Sequence, residues 1–289
     1  MILRNLKFIA VAIVCTTAVH AQISTSLRIT KDQHLAGEPV IAVVTITNHA
    51  GKDLVFSSDG RFQWLDFIVR NGRGDAVNPR GNSLFGALKI SPGQTLAREV
   101  DLGQHFQLSE PGNYSVAAVI HAPGDAMEGT STNRVIFNQS GGTPYWTQKV
   151  GIPGSSNRTR EFRLLNFSGD SKTQIYAQVR DDRTGQLVKT FVLGDILLLR
   201  KPLATVDRQQ RMHVMFLSTP SMWVHCVIDT DGRLVTREIH QRAALGDPLL
   251  LTSHDGDVQV ANSVPYDAKA ASEERAKTHK ASDRPTGTY

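Results

Sequence analysis

The residues most able to do chemistry stand in the second half of this chain. His213, His225, His240 and His254 fall there, with Cys226 directly after His225 and Asp229-Thr230-Asp231-Gly232 just beyond. Histidine and cysteine are common zinc ligands, and clustered carboxylates suit calcium. The spacings argue against both. No His-x-x-x-His or Cys-x-x-Cys pair occurs. Neighbouring strand residues face opposite ways, so His225 and Cys226 are not expected to meet at one ion. Gly232 follows Asp231 at once and Arg233 adds a cation, leaving too few ligands for a calcium loop. Asp-Gly is instead the pair a tight hairpin turn prefers. We therefore expect no metal site, only hairpin histidines. Whether any two of His213, His225, His240, His254 and Asp255 converge is a matter for the tertiary structure.

Covalent chemistry finds no better footing. Cys226 lies among Val224, Val227 and Ile228, an apolar run without the electropositive neighbour that activates a thiol. There is no Gly-x-Ser-x-Gly, phosphate-binding loop or dinucleotide glycine pattern. No nucleophile, base and orienting group can be named together, so no catalytic residue and no cofactor is expected. Arg73-Gly74-Asp75 spells an adhesion tripeptide, but Gly and Asp are what a turn there needs anyway. Trp64, Trp146 and Trp223 are the aromatics best suited to anchor a ligand, against the alternative of core or junction packing.

The elements that must position these residues read as β throughout. From residue 24 to 139, short runs of alternating apolar residues are separated by turn signals, with no sustained 3.6-residue period. Ala42, Val44 and Ile46 share one face; Leu65, Phe67 and Val69 share another, with Trp64, Asp66 and Ile68 opposite. The segment Glu110-Pro111-Gly112-Asn113-Tyr114-Ser115-Val116 leads a turn into a strand whose first inward aromatic is Tyr114. It resembles the tyrosine corner of immunoglobulin-like and fibronectin-like sandwiches. That resemblance implies a β-sandwich over 24–139, with the Tyr114 hydroxyl bonded to backbone in the preceding loop. The inter-sheet cysteine pair of antibody domains is missing, since Val116 stands two residues after Tyr114.

Residues 140–158 are rich in Gly, Ser and Pro and read as a linker, with Tyr145-Trp146 packing at the domain junction. From 159 to 266 the chain is again β. Ile175–Val192 can be laid over Trp223–Ile239 as two hairpins, with Val179 over Val227 and Asp181 over Asp229. The repeat is faintly similar to propeller blades, but two are too few for a propeller. A small antiparallel meander is expected: a barrel, a sandwich or a partial propeller. Residues 267–289 read as a disordered or frayed tail.

Residues 1–21 carry a short basic start (Arg4, Lys7), an apolar run and Val19-His20-Ala21. This is the pattern of a secretory signal peptide cut near Ala21/Gln22, and no later segment is apolar enough to span a bilayer. A secreted or periplasmic protein follows. Its fold must stand without an internal disulfide, because Cys15 leaves with the leader and Cys226 remains alone. The formal charge of +5 is scattered rather than striped, which excludes a nucleic-acid surface. The expected function is a non-catalytic, exported pair of β modules binding another macromolecule, protein or polysaccharide. The alternatives are an extracytoplasmic hydrolase with a site at the domain junction, or an immunoglobulin-like proteinase-inhibitor module.

Overall fold

The computed structural model describes residues 22–267, apart from 59–61, 82–84, 124–128 and 170–171, together with 269, 272 and 273. The proposed leader and nearly all of the tail lie outside the described residues. The described chain is all-β, with one short helix.

The first half contains β1 (Ile23–Ile29), β2 (Gln33–Leu35), β3 (Ile41–Asn48), β4 (Leu54–Phe56), β5 (Leu65–Asn71), β6 (Leu88–Ile90) and β7 (Thr95–Asp101). Helix α1 (Leu102–His105), β8 (Gly112–Ile120), β9 (Thr130–Ser131) and β10 (Val135–Ser140) complete it. One sheet has the order β1-β3-β7; the other has β2-β10-β8-β5 with β9 beside β8, and β4 pairs β6. Period-two alternation sends Leu27, Val44 and Ile46 from the first sheet into one apolar core with Phe67, Val116 and Phe137 from the second. Trp64 is only 1% exposed. Strand β5 begins at Leu65, so its alternation does not reach Trp64, and the indole turns inward rather than sharing a face with Asp66 and Ile68. Its Nε1 donates to the carbonyls of Phe85 and Gly86, both at 3.2 Å. Tyr114 stacks on Phe137, and its hydroxyl donates to the Glu110 carbonyl at 2.8 Å.

The second half begins without a linker. The chain passes from β10 through Gly141 and Gly142 straight into β11 (Thr143–Ile152), which pairs with β12 (Ser155–Ser168) along its length. The Gly and Ser residues that suggested flexible chain serve two tight turns instead. At Gly142, with φ of +63°, an added Cβ would fall 2.8 Å from the Leu35 side chain and 2.9 Å from Leu165, so a side chain there would strain the backbone and push on both leucines. Trp146 packs on the core of this second half rather than at the junction.

Strands β13 (Thr173–Asp181) and β14 (Leu187–Asp195) complete a sheet of order β11-β12-β13-β14. Then come β15 (Leu203–Val206), β16 (Met212–Thr219), β17 (Met222–Ile228), β18 (Leu234–Arg242), β19 (Leu249–Thr252), β20 (Val258–Ala261) and β21 (Ser263–Pro265). The order β15-β16-β17-β18-β21 forms a second sheet, and β19-β20 is a separate hairpin. Both larger sheets are open rather than closed into a barrel. Phe162, Ala177 and Val179 of the first meet Val214, Phe216, Val224 and Cys226 of the second in one core. The two hairpins matched in the sequence, β13–β14 and β17–β18, lie in different sheets.

The halves touch through the turn after β2. Leu35 packs on Leu165 and Tyr176, while Thr190 Oγ1 donates to the Ala36 carbonyl at 3.2 Å. The buried Glu38 carboxylate pairs with Lys31 and accepts from Tyr176 Oη at 3.3 Å and from the Leu35 amide at 3.1 Å.

Candidate metal centre

Strand alternation sorts β16–β18 into two faces. Met212, Val214, Phe216, Val224, Cys226 and Ile228 enter the shared core. Residues of the opposite parity face away: His213, Met215 and Leu217 on β16, Trp223 and His225 on β17, Glu238 and His240 on β18. The register places His225 opposite Glu238 and Met215, and His240 opposite Trp223. Leu250 and Val260, from hairpin β19–β20, pack with Leu197 on Met215, Leu217 and Trp223. The hairpin therefore covers part of a face that would otherwise lie open.

Three histidines converge on this face, and all three are buried. His225 Nδ1 lies 3.7 Å from Glu238 Oε2, and His240 Nε2 lies 3.5 Å from the same oxygen. One nitrogen of each imidazole and a carboxylate oxygen fall within 4.8 Å of one another. Two ligands at about 2.1 Å on a tetrahedral ion stand roughly 3.4 Å apart, so the separations to Glu238 need only slight tightening around a metal. Neither nitrogen of His240, nor Nδ1 of His225, has a hydrogen-bond partner. Glu238 is 58% exposed and gives the group its edge toward solvent.

Behind His225 the polar chain continues inward. His225 Nε2 meets His213 Nδ1 at 3.1 Å, and His213 Nε2 meets Asp207 Oδ2 at 3.1 Å. Asp207 also accepts from the Arg211 amide at 2.9 Å and from Arg211 Nε at 2.7 Å. Burial alone would raise the Asp207 pKa, but these hydrogen bonds and the Arg211 charge outweigh it and hold the carboxyl below its ordinary value. Burial, reinforced by His213, pushes His225 down to about 4.

That depression has a testable sign. Above the ordinary value of 6.5, the imidazole is neutral whether the chain is folded or not. Between 6.5 and about 4, the unfolded chain takes up a proton that the folded protein refuses. Unfolding free energy is thus expected to fall over this window, by up to about 3 kcal/mol. Urea titrations at stepped pH check it: His225→Gln should flatten most of the slope, and an unchanged slope would place the effect elsewhere.

The other candidates separate from this group. Cys226 points into the opposite face, where burial pushes its thiol up to about 11, so it stays protonated and unreactive. His254 and Asp255 sit in the exposed turn between β19 and β20. Asp229 Oδ1 accepts from the amides of Asp231 and Arg233, at 2.9 and 2.8 Å, which makes its segment a hairpin turn. Asn71 plays the same part in the exposed turn carrying Arg73-Gly74-Asp75: its Oδ1 accepts from the amides of Arg73 and Asp75, at 2.9 and 3.0 Å. A cleft of about 440 Å³ does lie between the halves, lined by Glu38, Arg80, Asp101, Glu110, Arg180 and Lys189 among others, but by no histidine or cysteine. Arg80 and Arg180 there already donate to the Phe106 and Gly185 carbonyls. Trp64 and Trp223 are buried in packing, and neither presents a ring to a ligand.

Glu238 is the member of this group that the histidine spacings do not point to. Regular pairing from the Asp229–Arg233 turn would set His225 against Arg237; a bulge between Val227 and Ile228 brings Glu238 opposite His225 and His240 opposite Trp223 instead. Among the described residues no helix is long and apolar enough to cross a membrane. Neither a protein-family model nor a curated protein matches this chain.

Proposed function

We propose that this protein binds a divalent transition-metal ion through His225, Glu238 and His240. One observation carries the reading: two buried imidazoles hold unpartnered nitrogens against one carboxylate oxygen, at 3.7 and 3.5 Å. Buried polar groups without partners are rare because each costs stability, and a bound cation would satisfy them. Two imidazoles and a carboxylate suit zinc, cobalt or nickel better than calcium or magnesium. The role is non-catalytic, and the leader-like residues 1–21 favour a location in the envelope or outside the cell. The two sheets sharing one core and the Tyr114–Glu110 bond support an immunoglobulin-like sandwich for the first half. Titration of the chelator-stripped protein with zinc, followed by calorimetry, tests the binding. Uptake of one equivalent is expected; no uptake at micromolar protein would refute it.

A second reading, docking to another macromolecule, has its own observation. Arg200 and Arg242 both pair with Asp247, at 2.8 and 2.5 Å, and lock two loops together. These loops carry Leu199 at 71% and Leu245 at 88% exposure, with Leu198 nearby and also exposed. Aliphatic side chains offer a sugar neither a ring nor a hydrogen bond, so the partner of this reading is a protein with an apolar surface. Leu199→Asp with Leu245→Asp should leave stability within about 0.5 kcal/mol and abolish cross-linking to a single species in the native envelope. Undiminished cross-linking, or binding to bare lipid vesicles instead, would overturn this reading.

A further inference from the structure

Asp207 and His213 stand behind the three ligating residues, and with the His213 ring neutral their hydrogen bonds have one consistent direction. Both Asp207 oxygens accept from Arg211, so this carboxylate has no proton to give and His213 Nε2 must donate to it. His213 then keeps a bare lone pair on Nδ1. That lone pair faces His225 Nε2 at 3.1 Å, which must therefore carry the proton of this bond. A neutral imidazole protonated at Nε2 is bare at Nδ1, the very atom that lies unpartnered and 3.7 Å from Glu238.

We infer that Asp207 and His213, neither of which touches the ion, select Nδ1 of His225 as the coordinating nitrogen and hold its ring in place. This rests on the metal reading above. The arrangement is the outer-shell support that ligating histidines commonly receive, extended by one residue: the carboxylate acts on the ligand through a second imidazole. It also explains why a third histidine is buried on this face although it is no ligand. His213 passes the orientation of a fixed carboxylate, itself held by Arg211, across from β16 to β17. When an ion sits on Nδ1, the Nε2–H of His225 becomes a stronger donor, and the bond to His213 tightens.

Asp207→Asn is the informative variant. A carboxamide can turn its NH₂ toward His213 Nε2, which reverses every bond in the chain and leaves a proton on His225 Nδ1, where the ion should bind. The experiment is nitrogen-15 NMR of the histidine rings, with His225 assigned by His225→Gln, in the stripped and zinc-loaded wild-type protein and in Asp207→Asn. The wild-type protein should show a bare Nδ1 and a protonated Nε2 at His225, and zinc should shift Nδ1. Asp207→Asn should show the opposite tautomer and bind zinc about 10- to 100-fold more weakly, whereas Asp207→Glu, which keeps the acceptor, should recover the wild-type tautomer. Zinc bound through Nε2, or through Nδ1 with undiminished affinity in Asp207→Asn, would overturn the inference while leaving the metal site standing. No zinc binding by the wild-type protein would remove the metal reading itself. The tautomer of the stripped wild-type protein would still decide the direction of the hydrogen bonds, even if Asp207→Asn failed to fold.

Discussion

Replacing His240 with leucine is expected to weaken zinc binding by at least about 100-fold and, at the same time, to stabilise the metal-free protein. Loss of an outer-shell partner typically costs about 10- to 100-fold in metal affinity, so loss of a ligand should cost more. The stability gain has a separate cause. Neither nitrogen of the His240 ring is hydrogen bonded, although the ring is buried. An unsatisfied buried polar group costs about 1–3 kcal/mol, and leucine fills similar space without that cost. We expect a gain of about 1–2 kcal/mol in urea unfolding of the stripped variant. The wild-type protein should recover the deficit with metal, since an ion at 100 times its dissociation constant stabilises by about 2.7 kcal/mol. Zinc should leave His240→Leu unmoved. A variant that loses stability yet binds zinc normally would mean that His240 serves packing alone. Glu238→Gln is a companion: its side chain is exposed, so binding should weaken with little change in stability.

Trp64→Ala should be among the most damaging single changes in the first half, at about 3–5 kcal/mol of unfolding free energy. The indole is fully enclosed in a core shared by two sheets, and it contacts the Phe56 ring with centroids 5.4 Å apart. Its removal opens a cavity and takes the only indole donor from the Phe85 and Gly86 carbonyls. Total stability of such domains is about 5–15 kcal/mol, so the loss should be plain in a urea titration. Zinc binding should persist wherever the protein remains folded, because Trp64 and the histidine face belong to different halves. A loss below about 1 kcal/mol would contradict the packing described. A loss of zinc affinity in folded protein would show the halves to be coupled.

The all-β character was written in the sequence because alternation has a short range: Ala42, Val44 and Ile46 need only two-residue spacing to be assigned one face. Cys226 and the Asp229–Arg233 turn were legible for the same reason, one set by its apolar neighbours and the other by Asp-Gly chemistry. Residues 140–158 have the composition of a linker and yet form paired strands, because Gly, Ser and Pro mark tight turns as readily as loose chain. Composition does not say whether the residues between such turns find a strand to pair with, and β11 finds β12.

By itself, then, the sequence determined which residues of each strand face together, and hence that His225 and Cys226 part company. The tertiary structure decided which strands lie side by side. That choice brings His213 of β16, His225 of β17 and His240 of β18 onto one surface and sets Asp207 behind them. Facing is fixed by the backbone geometry of adjacent residues. Convergence depends on pairing between strands and on the hairpin that buries their outer face, and no local pattern encodes either.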